Sequence, residues 1–205
     1  MKRILVVGED ALCCALGKRL VEEVMPGWSL AGEPINKRGI TELVPALPRY
    51  LNQARYVQPV LCIADTDGRC VRDLLRKWLS SLEIRSCAFY LRLAVTEAES
   101  WVLADREKFA VHFGVSVTKI PHCTDEIDDP KRLILSLVRK SRSRIHRVEM
   151  VSESDAGKPG SGYNEHLQFF VKEVWRPLVG CSNSESLARA VRRLREFVGS
   201  MESIS

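Results

Sequence analysis

The sequence predicts an α/β protein, a mainly parallel sheet flanked by helices, with a helical C-terminal part. Three observations carry this. Two short runs, Ile4 to Val7 and Val60 to Ala64, are apolar throughout, as strands covered on both faces require. After each run, apolar residues recur at helical spacing. The order strand, helix, strand, helix, strand implies parallel pairing through crossovers.

Each element has its own signal. Ile4 to Val7 stops at Gly8, and Leu12, Leu16, Leu20 and Val24 then mark a helix that ends at Pro26-Gly27. Trp28 to Leu30 begins a second strand. Gly39 to Ala54 is helical in part, with Pro45 and Pro48 expected to interrupt it. Val60 to Ala64 is the next strand. Beyond Gly68, a stripe of Val71, Leu74, Leu75, Trp78 and Leu82 faces a core. Cys87 to Val95 reads as a further strand. Ala98 to Phe113 is a helix, and Asp129-Pro130 starts another with proline in its first turn. Glu149 to Ser161, containing "GKPGSG", is the most loop-like stretch. Glu165 to Val179 and Ser186 to Phe197 close the chain as helices. The expected division is a core over 1–105 and a helical extension over 106–205 packed on it.

Composition narrows the class. The chain has 205 residues, 45% hydrophobic and 28% charged, which is ordinary for a globular protein. No apolar stretch is long enough to span a bilayer, and the N-terminal run ends too early for a signal peptide, so a cytoplasmic location and no membrane partner are expected. Seven cysteines, an odd number with no C-x-x-C pair, point to reduced thiols and away from a disulfide framework or a zinc site. The net charge of +5 permits an anionic partner. Basic residues gather in Lys131 to Arg147 and in "RAVRRLREF" near the C-terminus. Solvated helix faces or phosphate contacts would both account for them.

The chemistry concentrates at the strand ends. In an open α/β sheet, ligands sit at the carboxyl ends of the strands. Glu9 follows the first strand, Asp65 and Asp67 follow the Val60 strand, and Glu97 and Glu99 follow the Cys87 to Val95 strand. Residues two apart on an extended segment point the same way, so Asp65 and Asp67 can face one point, and Glu97 and Glu99 can do the same if the strand runs that far. Converging carboxylates repel unless cations neutralise them. Hard oxygen ligands suit Mg²⁺ or Mn²⁺, which can activate water and stabilise the leaving oxygen of a phosphodiester. The plainer alternative is that each acid only caps the following helix, as Asp10 and Asp67 could.

Gly8-Glu9, then Asp65-Thr66-Asp67-Gly68, then an acidic group after the next strand together resemble the Toprim domain of topoisomerases, primases and OLD-family nucleases. "TEAESWVLADREKF" (Thr96 to Phe109) and "DDPKRLILSL" resemble stretches of small stand-alone Toprim-like proteins. Those proteins are often encoded beside an ABC- or SMC-like ATPase in antiphage defence systems. The resemblance implies a Mg²⁺- or Mn²⁺-dependent nuclease acting on DNA or RNA, partnered by a separately encoded ATPase and compatible with an oligomer. It implies Glu9 as general base or metal ligand, Asp65 and Asp67 as metal ligands, and Glu99 with Glu97 in support. Asp105 is a weaker candidate that would brace a helix. The pattern covers residues 1 to 105. Many Toprim sequences have Asp-x-Asp-x-x-Gly, whereas Gly68 here follows the second aspartate directly.

Two other readings compete. "DTDGR" also resembles the nucleophile motif of haloacid-dehalogenase-like phosphatases, with Asp65 phosphorylated and Asp67 as acid/base. Asp128-Asp129 has the look of that family's later metal pair, but Asp129-Pro130 reads as a helix start and not a strand end. Arg69 stands where that motif expects threonine. The third reading is a catalytically silent Toprim-like adaptor that binds an ATPase or a nucleic acid. Lys158 could contact a scissile phosphate or be a solvated loop residue. His112, His122, His146 and His166 have no evident partners in the sequence.

Overall fold

The computed structural model describes residues 2–80 and 88–202. β1 (Lys2–Gly8) leads through α1 (Ala11–Val24) to β2 (Trp28–Leu30) and β3 (Ile35–Asn36). α2 (Ile40–Tyr56) then returns the chain to β4 (Val60–Asp65), and α3 (Val71–Leu79) precedes β5 (Phe89–Ala94). The helical half follows as α4 (Glu99–Ala104), α5 (Arg106–Phe113), α6 (Pro130–Val138), α7 (Arg144–Glu149), α8 (Tyr163–Glu173), α9 (Pro177–Gly180) and α10 (Glu185–Glu202).

All pairings in the five-stranded sheet are parallel, in the order β2-β1-β4-β5, with β3 also on β1. β2 pairs with the start of β1 and β3 with its end, so the two act as one interrupted edge strand. Side chains alternate between the faces as a pleat requires. Val60, Cys62 and Ala64 face a cluster with Leu43, Leu47 and Tyr50 of α2 and Trp78 of α3. Leu61 and Ile63 face the opposite cluster with Leu16 and Leu20 of α1. That second cluster runs on without a break through Trp101, Phe109, Phe170, Trp175 and Leu194. The expected extension therefore shares one apolar core with the sheet. Its two buried indoles are satisfied: Trp175 Nε1 donates to the Trp101 carbonyl (2.9 Å) and Trp101 Nε1 to Ser186 Oγ (2.7 Å).

Several expected boundaries move. α2 runs unbroken through Pro45 and Pro48. Both prolines lie on its exposed face, so the carbonyls they leave unbonded face solvent while Leu43, Leu47, Tyr50 and Leu51 hold the helix to the sheet. The helix expected over Ala98 to Phe113 breaks at Asp105. The one expected over Glu165 to Val179 breaks before Pro177, whose ring forces Arg176 into an extended conformation. Leu82 and Cys87, expected in a helix stripe and a strand, lie outside the described residues. Among the described residues no helix is long and apolar enough to cross a membrane.

Candidate functional site

The chain leaves β1 toward β2 and β3 on one side, then crosses back to place β4 on the other. The sheet's topological switch point therefore lies between the carboxyl ends of β1 and β4, where open α/β sheets form a crevice. Glu9 and Asp65 occupy these two ends.

Local packing fixes them there. At Gly8 a Cβ would fall 2.5 Å from the Cys14 backbone nitrogen, so only glycine lets the first turn of α1 close over the strand end. Asp10 caps α1, accepting from the Cys13 N–H at 2.7 Å. The Glu9 N–H donates to the Ile63 carbonyl at 2.9 Å, and Glu9 Oε2 accepts from the Asp65 N–H at 3.0 Å. The Glu9 carboxylate thus takes up the rung after the last β1–β4 backbone bond. Cys13 Sγ lies 3.8 Å from Asp65 Oδ1 as a weak donor.

The ends of β4 and β5 are tied by a crossed turn. The Thr66 N–H donates to the Ala94 carbonyl at 3.1 Å, and buried Thr66 Oγ1 accepts from the Thr96 N–H at 2.8 Å. The Asp67 N–H returns a bond to the Thr96 carbonyl at 2.8 Å. Asp67 (φ 49°) and Thr96 (φ 62°) are both left-handed, which for β-branched Thr96 costs on the order of 1–2 kcal/mol. The strand alternation expected for the acidic pairs therefore fails: β4 stops at Asp65, β5 stops at Ala94, and neither Asp67 nor Glu99 lies on an extended segment. Asp67 turns out toward Arg69, whose Nη2 is 2.6 Å from Asp67 Oδ2.

Glu97 and Glu99 converge by a different route, on Lys131 at the start of α6. Glu97 Oε2 accepts from the Lys131 N–H at 2.9 Å. The Lys131 ammonium lies 3.8 Å from Glu97 Oε1 and 3.6 Å from Glu99 Oε1. Tyr163, at the start of α8, donates its hydroxyl to Glu99 Oε1 at 3.1 Å. Glu99 is otherwise sealed, its side chain 5% exposed.

The electrostatics follow from this crowding. Burial lifts Asp65 well above the usual carboxylate range, and the charges of Glu99, Asp10, Glu9 and Asp67 add to it. Burial also raises Glu9, against the Asp65 N–H bond, with Asp67 and Asp10 adding to the rise. Glu99 is raised by burial in spite of Lys131. For Lys131, burial alone would lower the pKa, but Glu99, Glu97, Asp65 and Asp10 outweigh it and hold the ammonium charged. Glu9, Asp10, Asp65, Asp67, Glu97 and Glu99 thus share one neighbourhood, with Lys131 and Arg69 against them.

The donor set fits a hard divalent cation in its chemistry: every candidate ligand is a carboxylate oxygen, and the raised carboxylates are those a cation would relieve. Among the described residues no three His, Cys, Asp or Glu side chains are grouped to hold a metal ion as they stand. The cluster has two halves. Glu9 and Asp65 stand at the switch point, with Asp10 capping α1 and Asp67 turned toward Arg69, and Glu97 and Glu99 are engaged by Lys131 and Tyr163.

Three members escape sequence reasoning. Lys131 begins a basic run, although the Asp129-Pro130 signal places it in the first turn of a helix. Asp10 reads only as a cap, and Tyr163 lies just beyond the loop-like stretch. Asp105 is a brace: fully buried, its carboxylate accepts from the Arg176 N–H (3.0 Å), Nε (2.9 Å) and Nη2 (2.7 Å). Lys158 pairs with Asp155 in its own loop at 3.4 Å. His112, His146 and His166 form a separate group, with ring centroids 5.6 Å (His112 to His146) and 5.0 Å (His146 to His166) apart. Comparison of the chain with protein-family models, with curated proteins and with solved structures finds no match.

Proposed function

We propose that this chain is a Mg²⁺- or Mn²⁺-dependent nuclease of the Toprim type, the effector subunit of an antiphage assembly whose ATPase is encoded separately and which works in the cytoplasm. The observation that carries the reading is Asp65: a desolvated carboxylate at the sheet's switch point, its own amide bound by Glu9 and its charge opposed by four more acids. Carboxylates placed so serve function at a cost to the fold. Glu9, Asp65 and Asp67 are the residues that would hold the ion. Bound there, it would supply charge stabilisation to a phosphodiester and lower the pKa of a water.

The chain's own groups take defined roles. Glu9 has an alternative role to ligating the ion: its carboxyl, raised by burial, is suited to accept a proton from the attacking water. Glu97 and Glu99 hold the Lys131 ammonium at the rim of the crevice, where its positive charge can meet a phosphate oxygen. Tyr163 fixes the orientation of Glu99. Cys13 takes no part as a nucleophile, since burial and then the neighbouring Asp65 hold its thiol protonated.

Two observations favour a second reading, the silent adaptor. Lys131 already neutralises the Glu97–Glu99 end, and among the described residues no three acids stand grouped around an ion. The phosphatase reading loses its later metal pair, because Asp129 is spent as the cap of α6, accepting from the Arg132 N–H at 2.7 Å. Incubating the protein with plasmid, linear DNA, RNA and a small phosphate ester, in Mg²⁺ or Mn²⁺, with and without an ATPase encoded beside it, separates the three. Cation-dependent cleavage that vanishes in Asp65→Ala supports the nuclease. Binding without cleavage supports the adaptor, and phosphate release from the ester supports the phosphatase.

A further inference from the structure

β5 is the edge strand of the sheet, and α10 lies along it. Phe89, Leu91 and Leu93 face α2 and α3, so Tyr90, Arg92 and Ala94 face the other way, toward α10. Arg92 is a misfit there. Its guanidinium carbon sits 6.0 Å from the centre of the Tyr90 ring, yet its Nε is buried with no hydrogen-bond partner among the described residues. A buried donor left unmade costs stability, so each such group calls for an explanation.

Its surroundings sharpen the question. Burial lowers its pKa, and the charge of Arg193 lowers it further, while Tyr90 and Glu196 act weakly the other way. Glu196 is already engaged by Arg193 at 3.0 Å. Arg189, one turn away on the same face of α10, is held only loosely by Glu185 at 3.8 Å. Arg92 lies between two open clefts. One, of about 480 Å³, sets Arg92, Arg193, Glu196 and Ser200 against the rings of Tyr90 and Phe197, and the other, of about 240 Å³, sets Arg92, Arg189 and Ser186 against an apolar wall that includes Leu75, Leu91 and Val95. Val95 is the residue before Thr96, whose backbone carbonyl holds Asp67 of the acidic site.

Arg193, Arg92 and Arg189 thus form a row of guanidiniums along the sheet edge, leading to the flank of the acidic crevice. We infer that this row binds the phosphates of a nucleic-acid strand, seating successive backbone groups in the two clefts. The inference rests on the nuclease reading of the acidic site, to which it adds the path of the substrate. A single small anion would leave one cleft unused, whereas a strand presents repeated phosphates to a planar fork of donors. The match is to backbone and not to base, so the row predicts affinity without sequence preference.

The test is binding of a short fluorescein-labelled single strand, followed by anisotropy in EDTA across a salt series, for the wild type, Arg92→Met and the exposed-site variant Arg189→Met. Arg92→Met should weaken binding by about tenfold or more. The slope of log affinity against log salt should become shallower by about 0.7 for each phosphate that the variant no longer neutralises. Melting of Arg92→Met should match or exceed the wild type, because the methionine leaves no donor unmade. Arg189→Met should weaken binding in the same direction with no change in folding. Wild-type affinity and slope in both variants would overturn the inference, as would a wild type that binds inorganic phosphate but not the strand. The two readings fail separately. Binding that needs Arg92 in a protein that never cuts leaves the row standing and removes the nuclease. Cutting by a protein whose binding ignores Arg92 does the reverse.

Discussion

Replacing Asp65 with asparagine should make the cation-free protein more stable. The change preserves shape and leaves an acceptor for Cys13, while removing one negative charge from the point where Glu99, Asp10, Glu9 and Asp67 oppose it. Because burial and those charges raise the folded-state pKa above the unfolded one, the ionised form costs the fold at neutral pH. Relieving such a site typically contributes about 1–2 kcal/mol. For a chain of this size that is a rise in Tm of about 2–8 °C. Thermal denaturation in EDTA near neutral pH reads it directly. The gain should shrink as pH falls through the raised pKa, since the wild-type carboxyl then becomes neutral as well. Mn²⁺ should invert the order by stabilising the wild type and leaving Asp65→Asn unmoved. A lower Tm for Asp65→Asn in EDTA, or equal stabilisation of both proteins by Mn²⁺, would refute the reasoning.

Three more outcomes follow from the same geometry. Lys131→Met removes the cation facing Glu99, whose side chain is 5% exposed, leaving it the Tyr163 hydroxyl and its own backbone N–H, and should cost about 1–2 kcal/mol, allowing for solvent around the half-exposed ammonium. Denaturant titration measures that loss. Asp105→Asn removes the fully buried negative charge facing Arg176 and sets an amide NH₂ against a guanidinium donor, and should cost about 3 kcal/mol, seen as a lower Tm with the binding of Mn²⁺ unchanged. Burial and the neighbouring imidazoles lower His112 and His146 below the usual histidine value. Their contribution is therefore complete above the unfolded pKa near 6.5 and is lost as pH falls through the lowered folded values. A series of melts from about pH 7 to about pH 5 should show this decline, and His146→Phe should flatten it.

How much of this is legible in the sequence depends on whether the physics is local. Val60 to Ala64 can be read as a strand because burial on both faces removes every polar residue from it. The positions of Glu9 and Asp65 at the strand ends can be read because a buried strand must end where the first charge appears, and open parallel sheets form their crevice at that end, which is why they are candidates. The prolines of α2 mislead because the cost of each depends on which face it occupies, and that is set by packing. Asp67 and Thr96 mislead because the left-handed turns are imposed by the exchange of bonds between β4 and β5, which no spacing rule encodes. Lys131 is invisible as a site residue because α6 brings it to Glu97 and Glu99 from distant positions along the chain. Arg92 stands inside a strand pattern, and the approach of α10 shows that its buried Nε lacks an acceptor among the described residues.

The claim on which the rest depends is that the acids at the ends of β1 and β4 exist to hold a divalent cation. Isothermal titration of the purified protein with Mn²⁺, beside Asp65→Asn and Glu9→Gln, addresses it without any assumption about substrate. Saturable binding by the wild type, abolished in Asp65→Asn and weakened in Glu9→Gln, is the expected result. Heat of binding absent from the wild type, or identical in all three proteins, would contradict it.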